Sequence, residues 1–280
     1  MKKNAAKALC SIVLLACFFS YNSNAATLPI FNSSDGWTQF ANDDGYRVRD
    51  GYVNPGYGGQ NFDAEYLFYK IQNGTLSIGL QTGFDLSTGI VRHGNIDYYA
   101  GDLALSFDGN ASTYEYAVDF GLKTKNYGAK ADASLSIPVG GNKAIGIDTA
   151  GIYSVTQWNK DIYSGFYASN PFAMDSGTFL GQLTENLSGS GNTGISSSDG
   201  YSYGGYSYYR IVSFQTYPIF EIIPGNPILL NAHWTMSCGN DAINGTASVP
   251  NPIPEPGTIA LIGSLITGIL GFTGLCKRNI

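Results

Sequence analysis

His233 and Cys238 are the residues of this 280-residue chain that come nearest to nucleophile-and-base chemistry, because a thiolate attacks only with a base beside it. Their spacing argues against that role. Leu230, Ala232, Trp234, Met236 and Cys238 alternate with Asn231, His233, Thr235 and Ser237, so on a strand the two side chains leave opposite faces. Cys238 is expected to fill the core as a small hydrophobe. The other histidine, His93, lies in Arg92-His93-Gly94-Asn95, which reads as a loop. Two histidines without a spaced third ligand do not make a zinc site. Paired carboxylates offer a second chemistry, that of glycoside hydrolysis. Asp63 with Glu65, and Glu115 with Asp119, have the spacing for it. Both pairs are expected on a solvated strand face opposite an apolar one, so no residue is assigned as catalytic. A secreted hydrolase using Asp63 and Glu65 is the least favoured alternative.

Hard cations want several oxygens from loops. Asp43 and Asp44, Asp97 with Asp102, Asp108-Gly109-Asn110, and Gly239-Asn240-Asp241 supply them, without the register of an EF-hand. Asx turns account for most of these residues. No cofactor is expected, with calcium on Asp43, Asp44, Asp102 or Asp108 the candidate ligand. The 20 tyrosines allow sugar rings to stack on an aromatic face. Tyr203 and Tyr208, in the densest patch, are the candidate glycan residues of a carbohydrate-binding alternative, although tyrosine is also an ordinary strand former.

The elements that would carry these residues are strands. Leu76, Ile78 and Leu80 alternate with polar neighbours, a two-residue period. Tyr66 to Ile71 precedes them, and Asn73-Gly74 between the two is a hairpin turn. Further runs cover Leu103 to Phe107, Tyr114 to Phe120, Leu135 to Val139, Ile145 to Ile147, and Tyr206 to Tyr217; the last and clearest spans Leu230 to Cys238. Gln182 to Gly205, rich in Ser, Gly and Asn, reads as a long loop or an edge hairpin. With 36 glycines and no helical stripe, the expectation is an all-β chain: a single sandwich or jelly-roll-like domain of about eight to twelve strands over residues 26–247.

Both ends carry targeting patterns. Lys2, Lys3 and Lys7, an apolar run from Ala8 to Phe19, and Ser23-Asn24-Ala25-Ala26 form a signal peptide over residues 1–25, cut after Ala25. Leu14-Leu15-Ala16-Cys17 offers a competing lipoprotein box, with Cys17 lipidated. Residues 248–257 form a Pro-rich linker, and residues 258–276 are apolar and uncharged. At about 1.5 Å per residue that span reaches roughly 28 Å, a bilayer's thickness. Residues 277–280 follow as a basic cytoplasmic tail, in which Lys277 and Arg278 stop transfer. Of the 4 cysteines only Cys238 lies between these ends, so no disulfide can form within the body. Setting aside Lys2, Lys3, Lys7, Lys277 and Arg278 leaves ten basic residues against 21 acidic ones, which disfavours nucleic acid.

The tail Ile253-Pro254-Glu255-Pro256-Gly257-Thr258, its apolar span and its basic end resemble the PEP-CTERM sorting signal of bacterial surface proteins. The resemblance implies an exosortase and the inner membrane as partners, with cleavage at the motif Pro254, Glu255, Pro256, Gly257 after a transient membrane anchorage. It further implies transfer to the cell surface or an extracellular matrix, and the favoured expectation is a non-enzymatic protein associated with extracellular polysaccharide or biofilm. The body is similar to a family of exosortase-dependent surface proteins through Asp35-Gly36-Trp37, Phe62-Asp63-Ala64-Glu65-Tyr66, Tyr99 to Asp108, and His233 to Asp241. Those patches imply a family and no chemistry.

Overall fold

A computed structural model describes residues 27–43, 59–94, 96–110, 112–125, 144–160, 170–193, 206–217, 219, 227–239 and 241–250. In chain order its strands are β1 (Thr38–Asn42), β2 (Ala64–Gln72), β3 (Thr75–Thr82), β4 (Ile90–His93), β5 (Ile96–Tyr99), β6 (Leu103–Ser106), β7 (Tyr116–Asp119), β8 (Gly151–Asn159), β9 (Ala173–Gly181), β10 (Glu185–Asn192), β11 (Tyr206–Gln215), β12 (Ile228–Thr235) and β13 (Ala242–Val249). Every named ladder is antiparallel. One sheet has the order β1-β2-β3-β11-β10, a second β13-β12-β6-β7-β8-β9, and β4-β5 form a separate hairpin.

Alternation explains why the two larger sheets face each other. Leu67 on β2, Leu76, Ile78 and Leu80 on β3, and Val212 and Phe214 on β11 leave one face of the first sheet. They meet Leu103 and Leu105 on β6, Val118 on β7, Leu230, Ala232 and Trp234 on β12, and Ile243 on β13 in one buried cluster. The chain is therefore all-β and sandwich-like, its inner faces sharing a core. The β2–β3 hairpin turns at Asn73 and Gly74, both at positive φ (51° and 76°), the backbone that a two-residue hairpin loop requires.

Several sequence expectations change. β12 is not the last strand: β13 follows, and its end, Val249, is fully buried beside Ile228, two residues past the expected limit at 247. Ile145 and Ile147 are not in a strand; Ile145 is buried in a connecting segment that pairs only through the Lys125–Ala144 bridge. The described part of 182–205 carries the edge strand β10, which pairs β11 from Glu185 to Asn192, and residues 194–205 lie outside the described residues. His93 ends β4 opposite Ile96 rather than sitting in a loop. The Leu135–Val139 run lies outside the described residues. No helix among the described residues is long and apolar enough to cross a membrane, and residues 258–276 are not among them.

Candidate functional site

The outer face of the five-stranded sheet is built from four cross-strand rows, because antiparallel partners project to the same side. Tyr66, Gln81, Tyr209 and Gly189 form one row, and Phe68, Gly79, Ile211 and Leu187 the next. The segment from Leu28 to Trp37 covers these two: Phe31 stacks on Phe68 at 4.3 Å between ring centroids and meets Trp37 edge-on at 5.3 Å. Gly79 makes this possible, since a Cβ there would run into the Phe31 ring. The remaining rows are polar. Lys70, Ser77, Ser213 and Glu185 lie directly across β2, β3, β11 and β10, followed by Gln72, Thr75 and Gln215. Here the face opens into a cleft of about 440 Å³ lined by Lys70, Gln72, Thr75, Ser77, Glu185 and Ser213 among others. Its floor hydroxyls, Ser77 and Ser213, are bonded to each other at 2.7 Å and are only 7% and 3% exposed.

At the opposite end of this face sits an acid. Glu65 falls at the register shift between Ala64 and Tyr66, a β-bulge that turns its carboxylate into the protein. Oε1 accepts from Gln60 Nε2 and Ser207 Oγ, and Oε2 from Gln81 Nε2, each at 2.7 Å. Gln81 Oε1 in turn accepts the Leu28 N–H at 2.8 Å, which ties the first described segment to the hub. Burial pushes the Glu65 carboxyl up from 4.5 to about 7, against the three hydrogen bonds and with Asp241 adding to the rise. A raised carboxyl is the mark of a catalytic acid, yet Glu65 is fully buried and both its oxygens are taken by protein donors. The expectation that Asp63 and Glu65 share a solvated face is therefore wrong. The bulge breaks the alternation, and Asp63 too is buried, at 1% exposure.

The second acidic pair also departs from expectation. Asp119 is 1% exposed, while Glu115 is half-buried and accepts from Thr113 Oγ1 at 2.9 Å. The outer side of β7 is covered rather than solvated, since Ala117 packs with Tyr153 and Met174. Burial, then Asp148, pushes the Asp119 carboxyl up to about 7 against backbone hydrogen bonds from Gly121 and Thr149. Asp102, buried at the start of β6, is raised well above the usual carboxylate range by burial and then by Asp119 and Asp148; its Oδ2 accepts Met174 N–H at 2.7 Å.

The other candidates lie apart. Asp97 faces Arg92 at 3.8 Å on the exposed β4–β5 hairpin. Asp108 Oδ1 closes an Asx turn with Asn110 N–H at 2.8 Å and accepts Ser106 Oγ at 2.9 Å. Asp43 is buried, and its N–H donates to the Glu65 carbonyl at 3.0 Å. Among the described residues no three His, Cys, Asp or Glu side chains are grouped to hold a metal. His233 and Cys238 are both fully buried on opposite sides of their segment: Cys238 joins the core with Trp234 and Met236, while His233 Nδ1 meets Asn244 Oδ1 at 2.8 Å. Tyr208 is half-buried against the core, and its ring stands at 80° to that of the exposed Tyr206 at 5.6 Å, so the two make no flat platform. Ala25, Asp44, Tyr203, Pro254, Glu255, Pro256, Gly257, Lys277 and Arg278 lie outside the described residues.

Sequence reasoning missed the polar rows and Arg210. The guanidinium of Arg210, 7% exposed, donates to Asn186 Oδ1 at 2.8 Å and to the carbonyls of Leu86 and Phe120 at 3.0 and 2.9 Å, which joins the two sheets. An arginine on the apolar side of the β11 run was the available signal. Set against protein-family models, curated proteins and solved structures, the chain matches none.

Proposed function

We propose that the chain is an exported, non-enzymatic surface or extracellular-matrix protein, sorted through its PEP-CTERM-like tail and held beside extracellular polysaccharide. The observation that carries this reading is the sequence of three parts in the tail: Pro254-Glu255-Pro256-Gly257, an uncharged apolar span, then Lys277-Arg278. A membrane-embedded processing enzyme needs its cleavage motif outside any folded core. Support comes from the last described strand, β13. Among the described residues Val249 is the last buried strand residue, and the exposed Pro250 follows it; proline cannot donate to a further ladder bond. At the other end Leu28, the first buried residue among those described, is tied by its N–H to Gln81, close behind the expected cut after Ala25. The jelly-roll form of the fold, the signal peptide and the membrane helix belong to the same proposal.

The test is localisation of an epitope-tagged copy in an exosortase-positive host and in its exosortase-null derivative. Release of a shortened protein from the first host, with full-length protein held in the membrane of the second, is expected. Equal retention of full-length protein in both refutes the reading.

A further inference from the structure

The cleft beside the docked Leu28–Trp37 segment has features that an ordinary solvated sheet face lacks. On such a face the polar side chains stand out in water. Here the central hydroxyls are sunk, with Ser77 and Ser213 7% and 3% exposed, between flanking side chains on β2 and β10. Ser213 Oγ also reaches Glu185 Oε2 at 2.9 Å, so the floor is ordered before anything binds. Across four strands the row from Lys70 to Glu185 spans roughly 14 Å at the usual strand separation. The volume of about 440 Å³ falls within the ~300–1,000 Å³ range of small-ligand sites.

The chemistry of the lining selects among ligands. One ammonium (Lys70), one carboxylate (Glu185), amides (Gln72, Asn73) and hydroxyls (Thr75, Ser77, Thr184, Ser213) line it. Lys70 Nζ lies over the Trp37 ring, 4.9 Å from its centroid, rather than against Glu185. A phosphate or other strong anion would face the Glu185 carboxylate, and a metal cation would face the Lys70 ammonium. A neutral chain of hydroxyls meets neither repulsion and finds donors and acceptors interleaved along the row. We propose that this cleft binds a short stretch of neutral saccharide chain, lying across β2, β3, β11 and β10. The choice of ligand class rests on the exported, matrix-associated reading, whereas the cleft itself does not.

The experiment is titration calorimetry of the full-length chain, purified in a sugar-free detergent, with cellohexaose, hexa-N-acetylchitohexaose and trigalacturonate. Saturable binding of at least one neutral hexamer is expected, weakened tenfold or more by Glu185→Gln and by Ser213→Ala, with the thermal transition of each variant unchanged. Should Ser213→Ala shift the transition, Thr75→Val replaces it as the second cleft variant. Tyr208→Ala is expected to leave the affinity as it was. Absence of binding to either neutral hexamer up to millimolar concentration overturns the proposal. So do binding of trigalacturonate alone, and affinity that survives the cleft variants but falls in Tyr208→Ala. Sugar binding in a protein that fails the localisation test leaves the cleft standing and removes only the matrix as the source of its ligand. Correct sorting without sugar binding removes the cleft alone.

Discussion

Replacing Glu65 by glutamine tests the buried hub most directly. The folded protein holds the Glu65 proton up to about pH 7, whereas the unfolded chain releases it near 4.5. Between those values the folded state binds more protons, so stability falls as pH rises and the loss is complete above about 7. At about 1.4 kcal/mol per pH unit, the displacement costs about 3 kcal/mol. Exposed charges would need a discount for solvent screening, but Glu65 is 0% exposed. Glutamine does not titrate, so Glu65→Gln removes this slope. It also carries a pH-independent cost. Its carbonyl can keep the Gln60 and Ser207 donors, while its amide nitrogen opposes Gln81 Nε2, whose own oxygen is committed to Leu28; one thwarted buried donor costs about 1–3 kcal/mol. Urea denaturation followed by tryptophan fluorescence from about pH 4.5 to 8 should show the variant the weaker protein at the acid end, gaining about 3 kcal/mol on the parent by the alkaline end. A stability difference that stays constant across that range refutes the reasoning.

Asp102→Asn keeps an acceptor for the Met174 N–H and removes an acid whose carboxyl is raised by burial and by Asp119 and Asp148. The parent's stability therefore declines as pH rises above about 3.8, and the variant's should decline less steeply in the same urea series; parallel curves would sink this account. Gly79→Ala drives a methyl into the Phe31 ring and should cost about 1–3 kcal/mol of overpacking, seen as a lower urea midpoint, whereas an unchanged midpoint would mean that Phe31 does not hold the Leu28–Trp37 segment down. Arg210→Lys cannot reach Asn186, Leu86 and Phe120 with one ammonium in the fork geometry. Losing bonds to two buried carbonyls should cost about 2–4 kcal/mol, and a melting temperature within a degree of the parent's would contradict the sheet-joining role.

Much of the sandwich was legible because alternation is a local signal. The β2–β3 hairpin could be read from Asn73-Gly74 and its flanking runs, and the inward face of β12 from every second residue between Leu230 and Cys238. β8, β9 and β13 gave weaker patterns. Outward positions such as Gly177 and Phe179 on β9 are small or apolar, and the inward Gly245 on β13 carries no side chain, so two-residue alternation fades even where the ladder is complete. The buried acids were misread for a related reason: alternation says which side of a strand a residue takes, and it is silent on whether that side is covered. Glu65 and Asp119 lie on sides that other segments close over.

Hydrophobic period and turn residues are written in neighbouring residues, so the sequence by itself determined that the described residues fold as β-sheet and where several strands run. The cleft was decided by tertiary structure alone. Lys70, Ser77, Ser213 and Glu185 come from four strands and stand in one row only because the ladders β2–β3, β3–β11 and β11–β10 take particular registers, and a slip of one residue in any ladder would send that strand's polar group to the other face.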